Sequence, residues 1–360
     1  MKPHFNAAFS AALAMFSLLG LSVSTQAAVP AAERQILVDL YNGTDGAAWT
    51  THTNWTVGDP CENAWSGIVC DGSNEHVTEL WLVGNNLSGS LPANLAGLTW
   101  LSTVSVSSNQ LSGSIPDLGG LTSLTSFTAY GNQLTGSIPS LGGLTSLQSF
   151  NVSDNQLSGS IPDLGGLTSL QSFSAGYNQL SGSIPDLSGL TSLTWFDVSN
   201  NQLSGSIPDL DGLTALQSFR VDDNELSGTP PAAPPGLLSG QSALCSNFLH
   251  TPSPSDAAWN AATGGTWSDG CTPGYRVSTS ATPGGSIGPS RGVATGGVVS
   301  IDVVPDDMDH VIGSIGGTCG GTLVGSTYTT NPVTADCTVI ANFIAVWDFI
   351  FADSFESPNP

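Results

Sequence analysis

Apolar and polar residues recur along most of this chain with a period of 23 residues. An asparagine marks the period at Asn109, Asn132, Asn155, Asn178, Asn201 and Asn224, and Asn85 stands 24 residues ahead of the first. Apolar columns keep the same register at Leu80, Val104, Phe127, Phe150, Phe173, Phe196 and Phe219, at Leu87, Leu111, Leu134, Leu157, Leu180, Leu203 and Leu226, and at Leu101, Leu124, Leu147, Leu170, Leu193 and Leu216. Seven units in one register predict stacked repeats that share a core.

Each unit reads approximately LxxLxLxxNxLSGSIPxLxGL. The LxLxx part alternates like a short strand, so the stacked units should form a parallel sheet above a continuous apolar core. The periodic asparagine is expected to turn inward, where its amide satisfies backbone groups of the neighbouring unit. The glycine after each LS pair is expected to supply a backbone conformation that costs other residues more. These glycines are Gly113, Gly136, Gly159, Gly182 and Gly205.

The unit resembles the leucine-rich repeat, and its LSGSIP segment is similar to the plant-type subclass of receptor ectodomains and polygalacturonase-inhibiting proteins. The resemblance implies an α/β solenoid, a horseshoe whose concave face carries the parallel sheet, over residues 77–228. After its Gly-Ser pair the first unit has Leu-Pro-Ala-Asn-Leu-Ala-Gly-Leu, whereas later units have the shorter Ile-Pro-Asp-Leu-Gly-Gly-Leu. We therefore expect later units to lack room for a convex helical turn and to flatten the horseshoe.

Residues 29–76 resemble the N-terminal cap of plant-type repeats. Residues 31–41 have helical spacing, and the run from Cys61 to Cys70, with Trp65 inside it, matches the signature of that cap. We predict Trp65 to be a core residue, and contact with a ligand is the alternative. The other predicted core residues of the cap are Ile36, Leu37, Leu40, Trp49 and Trp55.

The pattern decays after Asn224, and we assign residues 229–272 to a C-terminal cap. Residues 273–343 have short β-type runs punctuated by Gly, Pro and Asp. Their Gly-Gly-Thr-Cys-Gly-Gly-Thr-Leu and Tyr-Thr-Thr-Asn-Pro-Val-Thr-Ala-Asp-Cys-Thr-Val segments resemble the divergent internalin-type B-repeat of bacterial surface proteins. The resemblance implies a small, mostly-β (β-grasp-like) domain and a bacterial source. For the tail, residues 344–360, both a final strand and a partner-docking peptide stay open.

The first 28 residues have the form of a secretory signal peptide. Lys2 precedes an apolar run over residues 7–23, and small residues lead to Ala27 and Ala28. A membrane anchor is the alternative reading of this segment. Nothing later in the sequence is apolar over about 18 residues, so no membrane insertion is expected after removal of the signal.

Six cysteines follow the signal, and an even number in an exported chain predicts disulfides. Because sequence neighbours fall in separate modules, we predict the pairs Cys61–Cys70, Cys245–Cys271 and Cys319–Cys337. The spacing lacks the close CxxC pairs of a zinc site.

The charge is strongly negative, with 28 acidic residues against five lysines and arginines. Nucleic acids and anionic membranes both need cationic partners, so neither is an expected ligand. Solubility alone is the other explanation for so many acids.

No motif proposes catalysis. The five histidines are far apart in sequence, and none stands in a Gly-x-Ser-x-Gly or His-Glu-x-x-His context. We expect no enzymatic activity, no cofactor and no metal. A row of acids interrupted by Ser140 has oxygen ligands of the kind that Ca²⁺ takes, but a solvated row is the simpler interpretation. The row is Asp117, Asp163, Asp186 and Asp209.

The variable strand positions should project from the concave face, where aromatic and arginine side chains commonly anchor interfaces. The predicted binding residues are Glu79, Trp81, Ser105, Ser107, Thr128, Tyr130, Asn151, Ser153, Ser174, Trp195, Asp197, Arg220 and Asp222. Seven strands at about 4.8 Å span roughly 30 Å, enough for a protein edge or an oligosaccharide. We expect a secreted or cell-surface monomer that binds an extracellular protein there. Binding of a glycan or an ice surface through the Ser/Thr-rich face, and an idle solvated face, are the alternatives.

Overall fold

The computed structural model describes residues 28–249, 254–268, 274–288, 291–294 and 296–346. One eight-stranded sheet lines the concave side of the solenoid. Its first two strands, Ile68–Cys70 and Val77–Trp81, are antiparallel, and every later strand is parallel to its neighbours. The later strands are Thr103–Ser105, Ser126–Thr128, Ser149–Asn151, Ser172–Ser174, Trp195–Asp197 and Ser218–Arg220. The predicted parallel-strand solenoid is confirmed.

Short strands on the adjoining side form a second ladder at the segment of each unit that is similar to Gln-Leu-Ser-Gly. They are Ser88–Gly89, Gln110–Ser114, Gln133–Thr135, Ser158–Gly159, Gln179–Gly182, Gln202–Gly205, Glu225–Gly228 and Phe248–Leu249. The five predicted glycines of these segments all have a positive φ, from 73° at Gly113 to 84° at Gly205. A side chain disfavours that conformation, so the predicted role of the glycine column is confirmed.

The core is one spine of identical side chains. Phe127, Phe150, Phe173, Phe196 and Phe219 are fully buried. Consecutive rings stack with centroids 5.5–5.7 Å apart and planes within 14–18° of parallel. The constant step of the repeat places each ring on the next, as the register of the sequence predicted.

The asparagine column satisfies backbone groups between units, as predicted. The Asn155 Oδ1 atom accepts the Leu134 amide at 2.9 Å. Its Nδ2 group donates to the carbonyls of Ala129, Val152 and Ser153 at 3.0–3.1 Å. One side chain thus ties two neighbouring units together without leaving a polar atom of the interior unpaired.

The convex side has a helical turn only where its segment is longer, among the described residues. A 3₁₀ turn, Leu95–Gly97, occupies the first unit. The shorter segments of later units form plain turns. The predicted effect of segment length is therefore confirmed for the helical turn.

The N-terminal cap covers the first unit. Helix α1 (Ala31–Gly43) buries Ile36, Leu37 and Leu40, and a 3₁₀ turn follows at Gly46–Ala48. Trp65 is buried and donates through Nε1 to the Val57 carbonyl at 2.9 Å. This tryptophan is therefore a core residue, which removes the alternative of ligand contact.

The asparagine column continues one step beyond Asn224, into the segment that we assigned to the C-terminal cap. Asn247 lies 23 residues further on and is buried. Its Oδ1 atom accepts the Leu226 amide at 2.9 Å, and its Nδ2 group donates to the Val221 carbonyl at 2.8 Å. Leu244 and Leu249 fill the matching apolar positions. Unit eight has no regular concave strand. Gln241, Ser242 and Ala243 occupy the positions that match Ser218–Arg220, and only an isolated bridge joins Ala243 to Arg220. Serine replaces the phenylalanine there, and the proline-rich residues 229–235 come before it, so the pattern is hidden in the sequence.

A short helix, α2 (Asp256–Thr263), closes the far end of the spine. The Trp259 ring is fully buried, 5.9 Å from the ring of Phe219. Its Nε1 group donates to the Pro231 carbonyl at 2.9 Å. Trp267 is also buried and donates to Asp256 Oδ1 at 2.9 Å. The proline-rich segment and α2 therefore hold each other over the last phenylalanine.

The C-terminal domain is mostly β and has its own core around Val277, Val303 and Val339. One four-stranded sheet contains Gly274–Ala281, Arg291–Ala294, His310–Gly316 and Cys337–Ala345. The other contains Gly285–Ile287, Ser300–Pro305, Gly321–Val324 and Thr327–Thr330. Between residues 274 and 345, the described residues of this domain form strands and the turns between them.

Two predicted disulfides are present, Cys61–Cys70 and Cys319–Cys337. The third predicted pair is Cys245–Cys271, and Cys271 lies outside the described residues. Residues 1–27 of the predicted signal peptide and residues 347–360 of the tail also lie outside them. Within the part of the chain that the structure describes, no helix has the length and apolar character to cross a bilayer.

Candidate functional site

Thirteen residues were predicted to form a binding face, and all alternate with buried residues along the concave side. Glu79 and Trp81 flank the buried Leu80, and Tyr130 follows the buried Ala129. Pairing between strands aligns the face into columns, such as the one that runs from Trp81 through Ser105 and onward. That column continues through Thr128, Asn151, Ser174, Asp197 and Arg220.

Three aromatic side chains of this face are well exposed: Trp81 at 50%, Tyr130 at 39% and Tyr177 at 55%. The set predicted from the sequence omitted Tyr177. This residue occupies a left-handed conformation, with φ 54°, in a column otherwise formed by Gly84, Ser108, Gly131, Asp154, Asn200 and Asp223. A bulky residue in that conformation is unusual and strained. The sequence signal for this exposed ring was a tyrosine in a column otherwise made of glycine, serine, asparagine and aspartate.

Three serines of the predicted face are buried rather than accessible, namely Ser105, Ser107 and Ser174. Thr128 Oγ1 donates to Ser105 Oγ at 3.0 Å, so these two hydroxyls are used inside the face. The serines therefore lie beneath the accessible surface, because larger neighbours in adjacent units project above them.

An ion pair lies at the C-terminal end of the face. Arg220 Nη2 is 3.4 Å from Asp222 Oδ2. Burial raises the pKa of the Asp222 carboxyl and outweighs the opposing effect of Arg220. Arg220 Nε and Asp222 Oδ1 are buried and have no hydrogen-bond partner among the described residues. Leaving a buried donor and a buried acceptor unpaired costs free energy.

A cavity of about 420 Å³ is lined by Asp197, which pairs in strand register with Arg220 on the neighbouring strand. We call it the Tyr177 cavity. Tyr177 and Trp195 border it, and Asn151, Ser153 and Asp197 contribute polar groups. Gly176 makes room for it, since a Cβ atom there would lie 3.1 Å from Asp197 Oδ1. Asp197 Oδ1 is held by the amide and hydroxyl of Ser199, at 3.0 and 2.7 Å.

A second cavity, of about 230 Å³, lies at the N-terminal end of the face. We call it the Trp81 cavity. Thr51, Ser66, Val83 and Asn85 line it together with Trp81. The Trp81 indole donates through Nε1 to Glu79 Oε2 at 2.5 Å, which fixes the ring beside a carboxylate. The face thus has an aromatic residue next to acidic groups near each end.

The acidic row on the convex side has a structural use. Oδ1 of Asp117, Asp163, Asp186 and Asp209 accepts the amide of the residue two positions later, at 2.9 Å in each case. Such bonds stabilise turns. No group of three His, Cys, Asp or Glu residues among those described is arranged to hold a metal ion. Likewise, His76 and His310 each contact a single carboxylate, of Glu33 and Asp307 respectively.

The family model described as Leucine Rich Repeat matches residues 76–98, 146–167 and 192–212. Over 59 residues the chain is 49% identical to Protein STRUBBELIG-RECEPTOR FAMILY 5 of Arabidopsis thaliana, which is 16% of this chain and 8% of that protein. Over 118 residues it is 34% identical to the Probable inactive receptor kinase RLK902 of Arabidopsis thaliana, which is 32% of this chain and 17% of that protein. The chain thus spans less than a fifth of either relative.

Solved structures with similar repeats include the plant peptide hormone receptor RGFR1 in complex with RGF2. The sequences are 33% identical over 50% of this chain and 30% of the receptor, with a TM-score of 0.47. The ectodomain of the receptor kinase SOBIR1 from Arabidopsis thaliana is 25% identical over 51% of this chain and all of its own, with a TM-score of 0.43. The matched repeats, together with the parallel solenoid described above, establish that this chain contains leucine-rich repeats.

Proposed function

We propose that this chain is a non-enzymatic, extracellular binding protein whose concave face recognises a protein partner. The observation that supports it most is the exposure of three aromatic side chains on that face, Trp81, Tyr130 and Tyr177, which provide the contact area typical of interface anchors.

The glycan and ice alternatives have weaker support. Both relied on a floor of accessible hydroxyl groups. Ser105, Ser107 and Ser174 are buried, so an incoming lattice or sugar ring would meet few of those hydroxyls.

In this proposal the C-terminal domain displays the solenoid at the cell surface and does not itself bind the partner. This part of the proposal rests on its resemblance to B-repeats of bacterial surface proteins, and it includes secretion or surface display by a bacterium. Arg276 donates to the Glu225 carbonyl at 3.0 Å, so the domain contacts the last repeats from the side of the second ladder. The concave strands are left uncovered by that contact.

Selection of peptides from an unbiased display library tests the proposal. Peptides selected on the full chain should lose at least about tenfold in affinity when Trp81→Ala, Tyr130→Ala and Trp195→Ala are combined, because each change removes an anchor. Isothermal titration measures the affinities. The matched control is Trp100→Ala, since this tryptophan is equally exposed but precedes its strand and stacks on His76 at 4.5 Å.

Unchanged affinity in the triple variant, or an equal loss in the control, would show that the concave face is not the binding site. A glycan array run in parallel separates the classes of ligand. Glycan binding that depends on Trp81 and Trp195, with no peptide selected, would contradict the proposal of a protein partner.

A further inference from the structure

The concave face carries acidic groups and almost no cation of its own. Glu79, Asp154, Asp197 and Asp222 lie on it or border its cavities. Arg220 is the only basic side chain of the face among those that the structure describes, and Asp222 already pairs with it. The face is therefore net negative within a chain of formal charge −23.

The other arginines with described side chains are committed elsewhere. Arg34 donates to the Gly58 and Thr56 carbonyls at 2.7 and 2.9 Å. Arg276 contacts Glu225 at the junction with the C-terminal domain. Neither neutralises the concave acids, so an external ligand is the natural source of positive charge.

The Trp81 cavity has the groups that hold a cationic side chain. The exposed face of the Trp81 ring attracts a cation, and Glu79 places a carboxylate at its edge, fixed by the bond from Nε1 at 2.5 Å. Val69 and Val83 are exposed near the ring, at 41% and 49%. They suit the aliphatic stem of an arginine or lysine, which packs on apolar surface while its charged end reaches an acid.

The Tyr177 cavity repeats this combination near the other end. Tyr177 and Trp195 provide two aromatic rings, and Asp197 and Asp154 provide carboxylates. Ser199 engages only the Oδ1 atom of Asp197, which leaves the second oxygen of this carboxylate for a ligand. A volume of about 420 Å³ accommodates a guanidinium group and its stem.

The distance between the two cavities sets the length of the ligand. Trp81 and Trp195 lie on the second and seventh strands of the eight-stranded sheet, five steps apart. At about 4.8 Å per step the separation is roughly 24 Å. An extended chain rises about 3.3 Å per residue, so about seven residues span it.

Resting on the proposed function, we propose that the partner is an extended cationic peptide segment with two basic side chains about seven residues apart. One occupies the Trp81 cavity and the other the Tyr177 cavity. The intervening peptide groups pass over the centre of the face, and a group next to the second basic residue meets Arg220 and Asp222.

Synthetic peptides of one length and composition test this inference on the full chain by isothermal titration. The first has two arginines seven positions apart, the second has them adjacent, and the third has glutamates in place of the separated arginines. We expect the first to bind about tenfold more tightly than the second, and the third not to bind.

Variants of the face test the two cavities separately. Glu79→Gln and Asp197→Asn should each reduce the affinity of the first peptide about tenfold, because each removes a charge but keeps the shape of the side chain. The Asp197→Asn change also retains a side-chain oxygen that accepts the hydrogen bonds from Ser199. Asp163→Asn, at an exposed convex turn, is the matched control and should change nothing.

Equal binding of the two arginine peptides, with no effect of the concave variants, would mean general attraction to a negative protein and would overturn the inference. The library peptides test the proposed function separately from this inference. If library peptides without basic residues depend on Trp81, Tyr130 and Trp195, the face binds protein but not a cationic segment. If no peptide depends on those residues, both proposals are wrong.

Discussion

One asparagine in each unit makes hydrogen bonds that the backbone of the unit cannot make alone. Asn178 Oδ1 accepts the Leu157 amide at 2.9 Å. Its Nδ2 group donates to the carbonyls of Val152, Ala175 and Gly176 at 3.0–3.2 Å. These groups face the interior between units. A water molecule could replace the amide there only if a cavity existed to hold it.

Asn178→Ala should therefore cost about 2–3 kcal/mol of unfolding free energy, because it leaves at least one buried amide and one carbonyl unpaired. Urea unfolding followed by circular dichroism measures the change. The neighbouring exposed residue gives the control, and Gln179→Ala should change stability by less than about 0.5 kcal/mol. Similar losses in the two variants would contradict the structural role of the asparagine column.

Sequence periodicity predicted residues of this kind because their role repeats. It placed the asparagine, glycine and phenylalanine columns correctly, since each must meet its copy in the next unit. It missed Tyr177, whose exposure arises from a single departure from the pattern, and it assigned Ser105, Ser107 and Ser174 to the surface. Whether a short side chain is accessible depends on the size of its neighbours in adjacent units, which no single column records.

At the scale of an element, the strands are too short to be stable alone and gain stability by stacking. Most concave strands contain three residues, which is fewer than a typical strand. The buried phenylalanine at the centre of five of them stacks on the phenylalanine of at least one adjacent unit. Stability then depends on the interfaces between neighbours, as expected for a solenoid.

Phe173→Ala should destabilise the solenoid by about 3–5 kcal/mol, since it removes a fully buried ring with stacked neighbours 5.7 and 5.6 Å away. Phe127→Ala is the matched comparison. Phe127 stacks on Phe150 on one side, but Val104 occupies the same column on the other. We expect its cost to be about 0.5–1.5 kcal/mol lower. Calorimetry of both variants measures this, and equal costs would argue against a contribution from ring stacking.

The eighth unit shows why element boundaries were harder to predict than elements. Asn247, Leu244 and Leu249 keep the register, but Ser242 stands where the other units have a buried apolar residue at the centre of the concave strand. Without that apolar residue the strand is reduced to a single bridge between Ala243 and Arg220. The C-terminal domain shows the same limit: the short strand Gly285–Ile287 lies between Gly284 and Gly288 and has little apolar sequence to mark it.

At the scale of the whole molecule, one charged pair joins the solenoid to the C-terminal domain. Units two to six have glutamine just before the recurring leucine of the second ladder, whereas the seventh unit has Glu225. Its side chain lies 3.8 Å from Arg276, which also donates to the Glu225 carbonyl. Burial raises the pKa of Glu225, and Arg276 opposes part of that rise.

Arg276→Met should weaken this junction by about 1–2 kcal/mol at neutral pH, through loss of a charged hydrogen bond. A carboxyl whose pKa is raised by folding adds stability only while protonated, and that contribution disappears as pH rises through the folded value. The loss of stability of the variant relative to the parent should therefore be smaller at pH 4 than at pH 7. Thermal unfolding at both values checks this, with Arg276→Lys as the control that keeps the charge. A deficit that stays the same at both pH values would contradict the role of Glu225.

The helix α2 has a consequence for how the molecule behaves in concentrated solution. Every ring in the phenylalanine spine would accept another ring at the same spacing, and the last one receives Trp259 instead. Without α2, the apolar end at Phe219 would be exposed, whereas the N-terminal cap still covers the opposite end. Two copies would then meet through the same uncovered end, a contact that closes on itself as a dimer. Removal of Trp259 would therefore favour pairing of two copies and not an open fibre.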